Sequence, residues 1–198
     1  MTQPRQAARP PGVASAARVL LEAVEAYYAE RTGGEAASPV PGALPLPERR
    51  YVAGGAPREV AWDADDGQVT VALERVILGN PQSAPSPTQT GRQGIGGGGL
   101  LMRTAVLEVQ IVRPAPGVDP DSQDAPSQEA LDAHGDALLT DAAMLTAALT
   151  EATLASKFAT GGNAPEGFPR YVLLQDLVSL GPQGYLGAIA ATVQVTVY

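Results

Sequence analysis

The chain has 198 residues, with 13 basic and 21 acidic side chains, a formal charge of −8 and no cysteine. These figures exclude a disulfide framework and thiolate metal sites. They also oppose tight binding to a nucleic-acid backbone, which needs clustered Lys and Arg. The length suits one domain, large enough to bury roughly 70% of its unfolded surface without covalent staples.

Residues 1–12 read as a flexible arm: Arg5 and Arg9 stand among Pro4, Pro10 and Pro11, and no apolar core of a signal peptide follows. No apolar run approaches the roughly 20 residues of a membrane-crossing helix, so the chain reads as soluble. From Val13 to about Arg31 the pattern is helical, with Val19, Leu20, Ala23, Val24 and Tyr27 as one stripe. Glu22, Glu25 and Glu30 fall mostly outside that stripe, and Gly33-Gly34 ends the helix. Residues 35–48 hold Pro39, Pro41, Pro45 and Pro47 and predict a loop or extended arm. A short strand at Arg50–Ala53 follows, then Trp62 and a turn at Asp63-Ala64-Asp65-Asp66-Gly67.

Gln68–Leu78 predicts a strand with Val69, Val71, Leu73 and Ile77 on one face. The Gly/Pro-rich loop at 79–100 connects it to the strand Arg103–Pro114, most simply as a long-tipped β-hairpin. Structureless connections of that length are usually functional or disordered. In Arg103–Pro114 the residues Ala105, Leu107, Val109 and Ile111 oppose Glu108 and Gln110. That period of two means one face buried and the other wet or facing a partner. Residues 115–126 form an acidic loop with Asp119, Asp121 and Asp124. Ser127, after Pro126, is a helix N-cap candidate. Leu131, Leu138, Leu145 and Ala152, with Gly135, Ala142 and Leu149 between them, suggest one helix along the sheet rather than a long coiled coil. A Gly/Pro-rich break at 157–170 precedes a hairpin of Tyr171–Leu180, the turn Gly181-Pro182-Gln183-Gly184 and a terminal strand. In that strand Ile189, Ala191, Val193, Val195 and Val197 oppose Thr192, Gln194, Thr196 and Tyr198. A chain stopping on so regular a strand has a structural C-terminus. The elements together predict a single α+β domain over 13–198, with two helices packed on a mixed or mainly antiparallel sheet.

The motifs that could carry chemistry are weak. Gly94–Gly99 fits GxGxxG, but it leaves a Pro/Ser-rich loop and enters a strand, whereas a dinucleotide site needs a strand before and a helix after. His134 is the sole histidine, near Asp132 and Asp136, and no serine motif accompanies it; a helix-surface or interface position is the plain reading. Asp63/Asp65/Asp66 and Asp119/Asp121/Asp124 lack the calcium-loop pattern and read as solvated turns. The six tyrosines suit either an interface or ordinary core-edge placement. No cofactor, metal or catalytic residue is expected, and the chain is read as a non-enzyme.

Several segments in order resemble the tail terminators (minor tail or neck proteins) of long-tailed, actinobacterial-type bacteriophages. They are PERRYVAGG (Pro47–Gly55), AWDADDGQVTVALERVILGNP (Ala61–Pro81), RTAVLEVQIVRPAPG (Arg103–Gly117), PSQEALDAHGDALLTDAAML (Pro126–Leu145) and GPQGYLGAIAATVQVTV (Gly181–Val197). These are packing and turn patterns whose order and spacing carry the likeness. The 79–99 insertion departs from it. The resemblance implies a structural virion protein of the tail or neck, assembled in the host cytoplasm. It implies a homo-hexameric ring that ends tail-tube polymerisation, contacts the tube protein and the head-tail connector or stopper, and lets genomic DNA pass without sequence-specific binding. A head-side stopper or adaptor is the alternative. On this reading Glu108, Gln110, Gln194 and Tyr198 are candidates for the subunit or ring interface, and Arg92, Ile95 and Leu100 for a partner-contacting loop. No membrane is involved.

Overall fold

The computed structural model describes residues 13–33, 36–53, 67–78, 103–116, 118, 125–150, 169–183 and 185–197. The expected arm, Trp62, both aspartate clusters, the Gly94–Gly99 motif, Ala152 and the candidates Arg92, Ile95, Leu100 and Tyr198 lie outside the described residues.

The first helix, α1, spans Val13–Ala29. Its inner face is Ala16, Ala17, Val19, Leu20, Ala23, Val24 and Tyr28, all buried at helical spacing. The stripe therefore ends on Tyr28 rather than on the expected Tyr27. Tyr27 is half-buried, with the Arg31 guanidinium 3.6 Å from its ring centroid. The Thr32 amide and hydroxyl both donate to the Tyr28 carbonyl at 2.8 Å. They cap the helix before Gly33, whose φ of 93° turns the chain.

Five strands follow: β1 (Arg50–Ala53), β2 (Gln68–Leu78), β3 (Arg103–Pro114), β4 (Pro169–Gln183) and β5 (Leu186–Val197). They form one sheet in the order β1-β2-β3-β5-β4. The β1–β2 pair is parallel and the other three pairs are antiparallel, so the sheet is mixed and mainly antiparallel. β2 and β3 pair directly, as a hairpin requires, with a bulge between Leu73 and Arg75. β4 runs through the expected turn at Gly181-Pro182 as far as Gln183, which pairs with Leu186. Register shifts accommodate those extra residues.

The second helix, α2 (Gln128–Ala148), starts as expected: the Ser127 hydroxyl accepts the Ala130 amide at 3.2 Å. Its buried positions are His134, Ala137, Leu138, Asp141, Met144, Leu145 and Ala148. Leu131 is only half-buried and Gly135 is exposed, so the helix is rotated from the expected stripe. Two inward polar side chains, His134 and Asp141, cause the rotation; an apolar count cannot place them.

Both helices pack on one face of the sheet, α1 chiefly over β2 and α2 over β5. Their core partners are Val69, Val71, Ala105, Leu107, Val109, Ile111, Ile189, Ala191, Val193 and Val195, which the alternation of the strands assigns to one face. The fold is α+β, two helices on a five-stranded mixed sheet.

Candidate functional site

On the helix-covered face, parity places Arg113 beside Ile111 and Val109, at the end of an otherwise apolar row. A cation there must meet a counter-charge or unfold the site. Asp141, from the inner face of α2, supplies it. Arg113 donates from Nε to Asp141 Oδ2 at 2.6 Å and from Nη2 to Oδ1 at 3.0 Å, a two-pronged pair with both side chains buried. The Tyr28 hydroxyl of α1 donates to Asp141 Oδ1 at 2.9 Å. Arg113 also reaches the proline-rich strap of residues 36–49, donating from Nη1 to the Pro45 carbonyl at 2.9 Å and from Nη2 to that of Leu44 at 3.5 Å. One guanidinium thus joins β3, α2 and the strap, and Asp141 adds α1.

His134 lies two turns before Asp141 on the same side of α2. It is 2% exposed, so the expectation of a surface or interface histidine is corrected. Its Nε2 is 3.1 Å from the Arg113 carbonyl oxygen and, facing an acceptor, carries the proton. On β5 the ring is faced by Gly187. A Cβ there would sit 3.0 Å from the imidazole and 2.6 Å from Leu138 Cδ1.

Burial dominates the electrostatics of this cluster. Desolvation, followed by the charge and hydrogen bond of Asp141, holds the Tyr28 hydroxyl far above its ordinary range and keeps it protonated. Desolvation first, and then the Arg113 charge, pushes His134 below its usual value, against the opposing pull of the Arg113 carbonyl and Asp141. Asp141 accepts from two partners, Tyr28 is locked as a donor and His134 is neutral. The chemistry of the node is to hold four elements in register.

The described interface candidates, Glu108, Gln110 and Gln194, lie on the opposite face, the one that α1 and α2 do not cover. Glu108 pairs in register with Thr192, Gln110 with Ala190 and Gln194 with Val106. Gln110 is 2% exposed, so it has no surface to offer a neighbour. It donates instead from Nε2 to Glu108 Oε1 at 3.3 Å. Burial rather than wetting is the rule at the centre of this face, where Gln68, Thr70, Ala72, Val106, Val112, Ala188 and Ala190 are also buried. Glu108 and Gln194 are half-buried. On β4, Leu173, paired with Gln194, and Val178, paired with Ala190, are each 42% exposed.

Neither a protein-family model nor a curated protein sequence matches this chain. Among the described residues no group of His, Asp and Glu is placed to hold a metal, and no helix is long and apolar enough to cross a membrane.

Sequence reasoning missed the Tyr28–Asp141–Arg113 node, although its signal was present. Arg113 has the parity of the inward row Ala105, Leu107, Val109 and Ile111. Asp141 falls three residues after Leu138 and four before Leu145. An acid and a base, each on an inward position of its own element, are a candidate buried pair.

Proposed function

We propose that the chain is a non-enzymatic ring subunit that caps a phage tail tube, ends its polymerisation and joins it to the head connector, with DNA passing through the lumen. The reading is carried by where the resemblance falls. Its quoted segments contain β1, β2, β3, most of α2 and β5, in order, so the likeness follows the skeleton of one sheet. Leu173 and Val178, exposed on β4 opposite Gln194 and Ala190, give the subunit an apolar rim suited to a neighbour. A closed ring uses head-to-tail contacts of this heterologous kind. The net charge of −8 suits a conduit from which DNA must slide free.

Electron microscopy of tails assembled without heads tests the proposal. Rings at the upper end of such tails, lost when the protein is omitted, are the expected result. Protein found on DNA-filled heads and absent from head-free tails selects the stopper reading, and its absence from both ends the virion proposal.

A further inference from the structure

We propose that the Tyr28–Asp141–Arg113 node is a proton-operated latch on the strap of residues 36–49, with His134 as its proton acceptor. The inference does not depend on the ring reading. Arg113 donates to the Pro45 and Leu44 carbonyls in the middle of the strap, beside the core contacts of Val40, Ala43 and Leu46. The two ends are held otherwise: the Ser38 and Val40 amides donate to Glu30 and Arg31 carbonyls, and Arg50 Nε donates to the Pro47 carbonyl. The hold of Arg113 on its middle depends on Asp141, which orients the same guanidinium.

The groups facing His134 set what a proton would do. β3 brings the Arg113 cation and its carbonyl, and α2 brings the Asp141 carboxylate. α1 brings the neutral Tyr28 hydroxyl, engaged with Asp141. Among the described residues, β5 brings Gly187, and the strap its carbonyls to Arg113. One carboxylate already balances one cation. A protonated His134 would place two positive charges against one negative in a site closed to water. Asp141 is then shared, and the weakest grip on the strap, the 3.5 Å contact to the Leu44 carbonyl, is the first to loosen.

The sign follows from burial. His134 is held below its ordinary value of 6.5, so the folded site binds its proton less readily than the unfolded chain. The stabilisation from neutral His134 is complete above that ordinary value and is lost as pH falls toward the folded one. Opening of the latch rises by up to about tenfold per pH unit in that window, the limit for one linked proton.

Because the chain has one histidine, its imidazole resonances are unambiguous in NMR spectra of the full chain. The test follows them from about pH 7.5 to about pH 5.5 together with amide protection factors, which remove the intrinsic pH dependence of exchange. Strap amides should lose protection as pH falls below the ordinary value of 6.5, while amides of β3 and β5 keep theirs. His134→Gln, a neutral residue that can still donate to the Arg113 carbonyl, should abolish the change. Two results overturn the proposal: strap protection that stays constant or falls together with the strands, or an equal loss in His134→Gln. If that variant does not fold, the wild-type titration alone decides.

Discussion

The two faces of the sheet solve the same burial problem differently. Under the helices, aliphatic side chains from β2, β3 and β5 meet those of α1 and α2, and the polar groups in the row are paired with short bonds: Arg113, Asp141, Tyr28 and His134. The face turned away from α1 and α2 is buried at its centre too, yet through small and uncharged residues such as Ala72, Ala188, Ala190, Thr70 and Gln110. Its polar groups are held by a 3.1 Å bond from the Tyr51 hydroxyl to Gln68 Oε1 and a 3.3 Å contact at Gln110, while among the described residues the Thr70 hydroxyl has no hydrogen-bond partner. The first face is therefore over-determined by charge as well as by shape. On the second, one buried hydroxyl, that of Thr70, is not matched by polar pairing.

The sharpest way to break the contrast is Asp141→Asn. It preserves the side-chain volume but leaves the Arg113 cation buried without its counter-charge. It should remove about 3–5 kcal/mol of stability in denaturant unfolding, the range for breaking one half of a buried pair. Replacing both partners by apolar residues, Arg113→Met with Asp141→Leu, should recover much of that loss. A single-variant loss below about 1 kcal/mol would show that Arg113 finds water or another acceptor, and that the node is not what locks this face. The next effect in size is Gly187→Ala. The new methyl would press on His134 and Leu138, and although the Leu138 terminus can turn away, the imidazole is held by the Arg113 carbonyl. Overpacking of this kind costs about 1–3 kcal/mol, readable as a lowered melting temperature.

The same contrast explains what could be read in advance. Strand alternation separates Leu107, Val109 and Ile111 from Glu108 and Gln110 correctly, because parity is a property of the backbone. Parity does not say what covers the second face, so Gln110 looked like surface when it is core. On α2 the apolar count located the N-cap at Ser127 and the inward Leu138 and Leu145, then lost the helix rotation. Charged residues score as surface in such a count, and the partner that allows Asp141 to be buried comes from Arg113, 28 residues away. The node was legible only to a search for complementary charges on inward positions of separate elements. The α+β architecture was legible because the mainly antiparallel order of β2, β3, β4 and β5 follows from short local patterns, each visible by itself. The rotation of Tyr28 rather than Tyr27 into the core was not. The two share a neighbourhood on the helix, and what separates them is again Asp141.

Thr70→Val gives the smallest effect, and its sign discriminates best between the faces. The Thr70 hydroxyl is buried on β2 and has no hydrogen-bond partner among the described residues. An unsatisfied buried hydroxyl is unfavourable by about 1–3 kcal/mol, whereas an isosteric methyl in its place is free of that penalty. Valine also suits a strand position at least as well as threonine. The substitution should therefore be neutral or should stabilise by about 1 kcal/mol, seen as an unchanged or higher unfolding midpoint with the same slope in denaturant. On the helix-covered face the equivalent deletion of a polar atom, at Asp141, must destabilise. If Thr70→Val instead lowers stability by more than about 1 kcal/mol, the hydroxyl is bonded to whatever covers that face. The two faces would then be equally specified, and the contrast between a charge-locked side and an incompletely satisfied one would fail at the residue that most clearly expresses it.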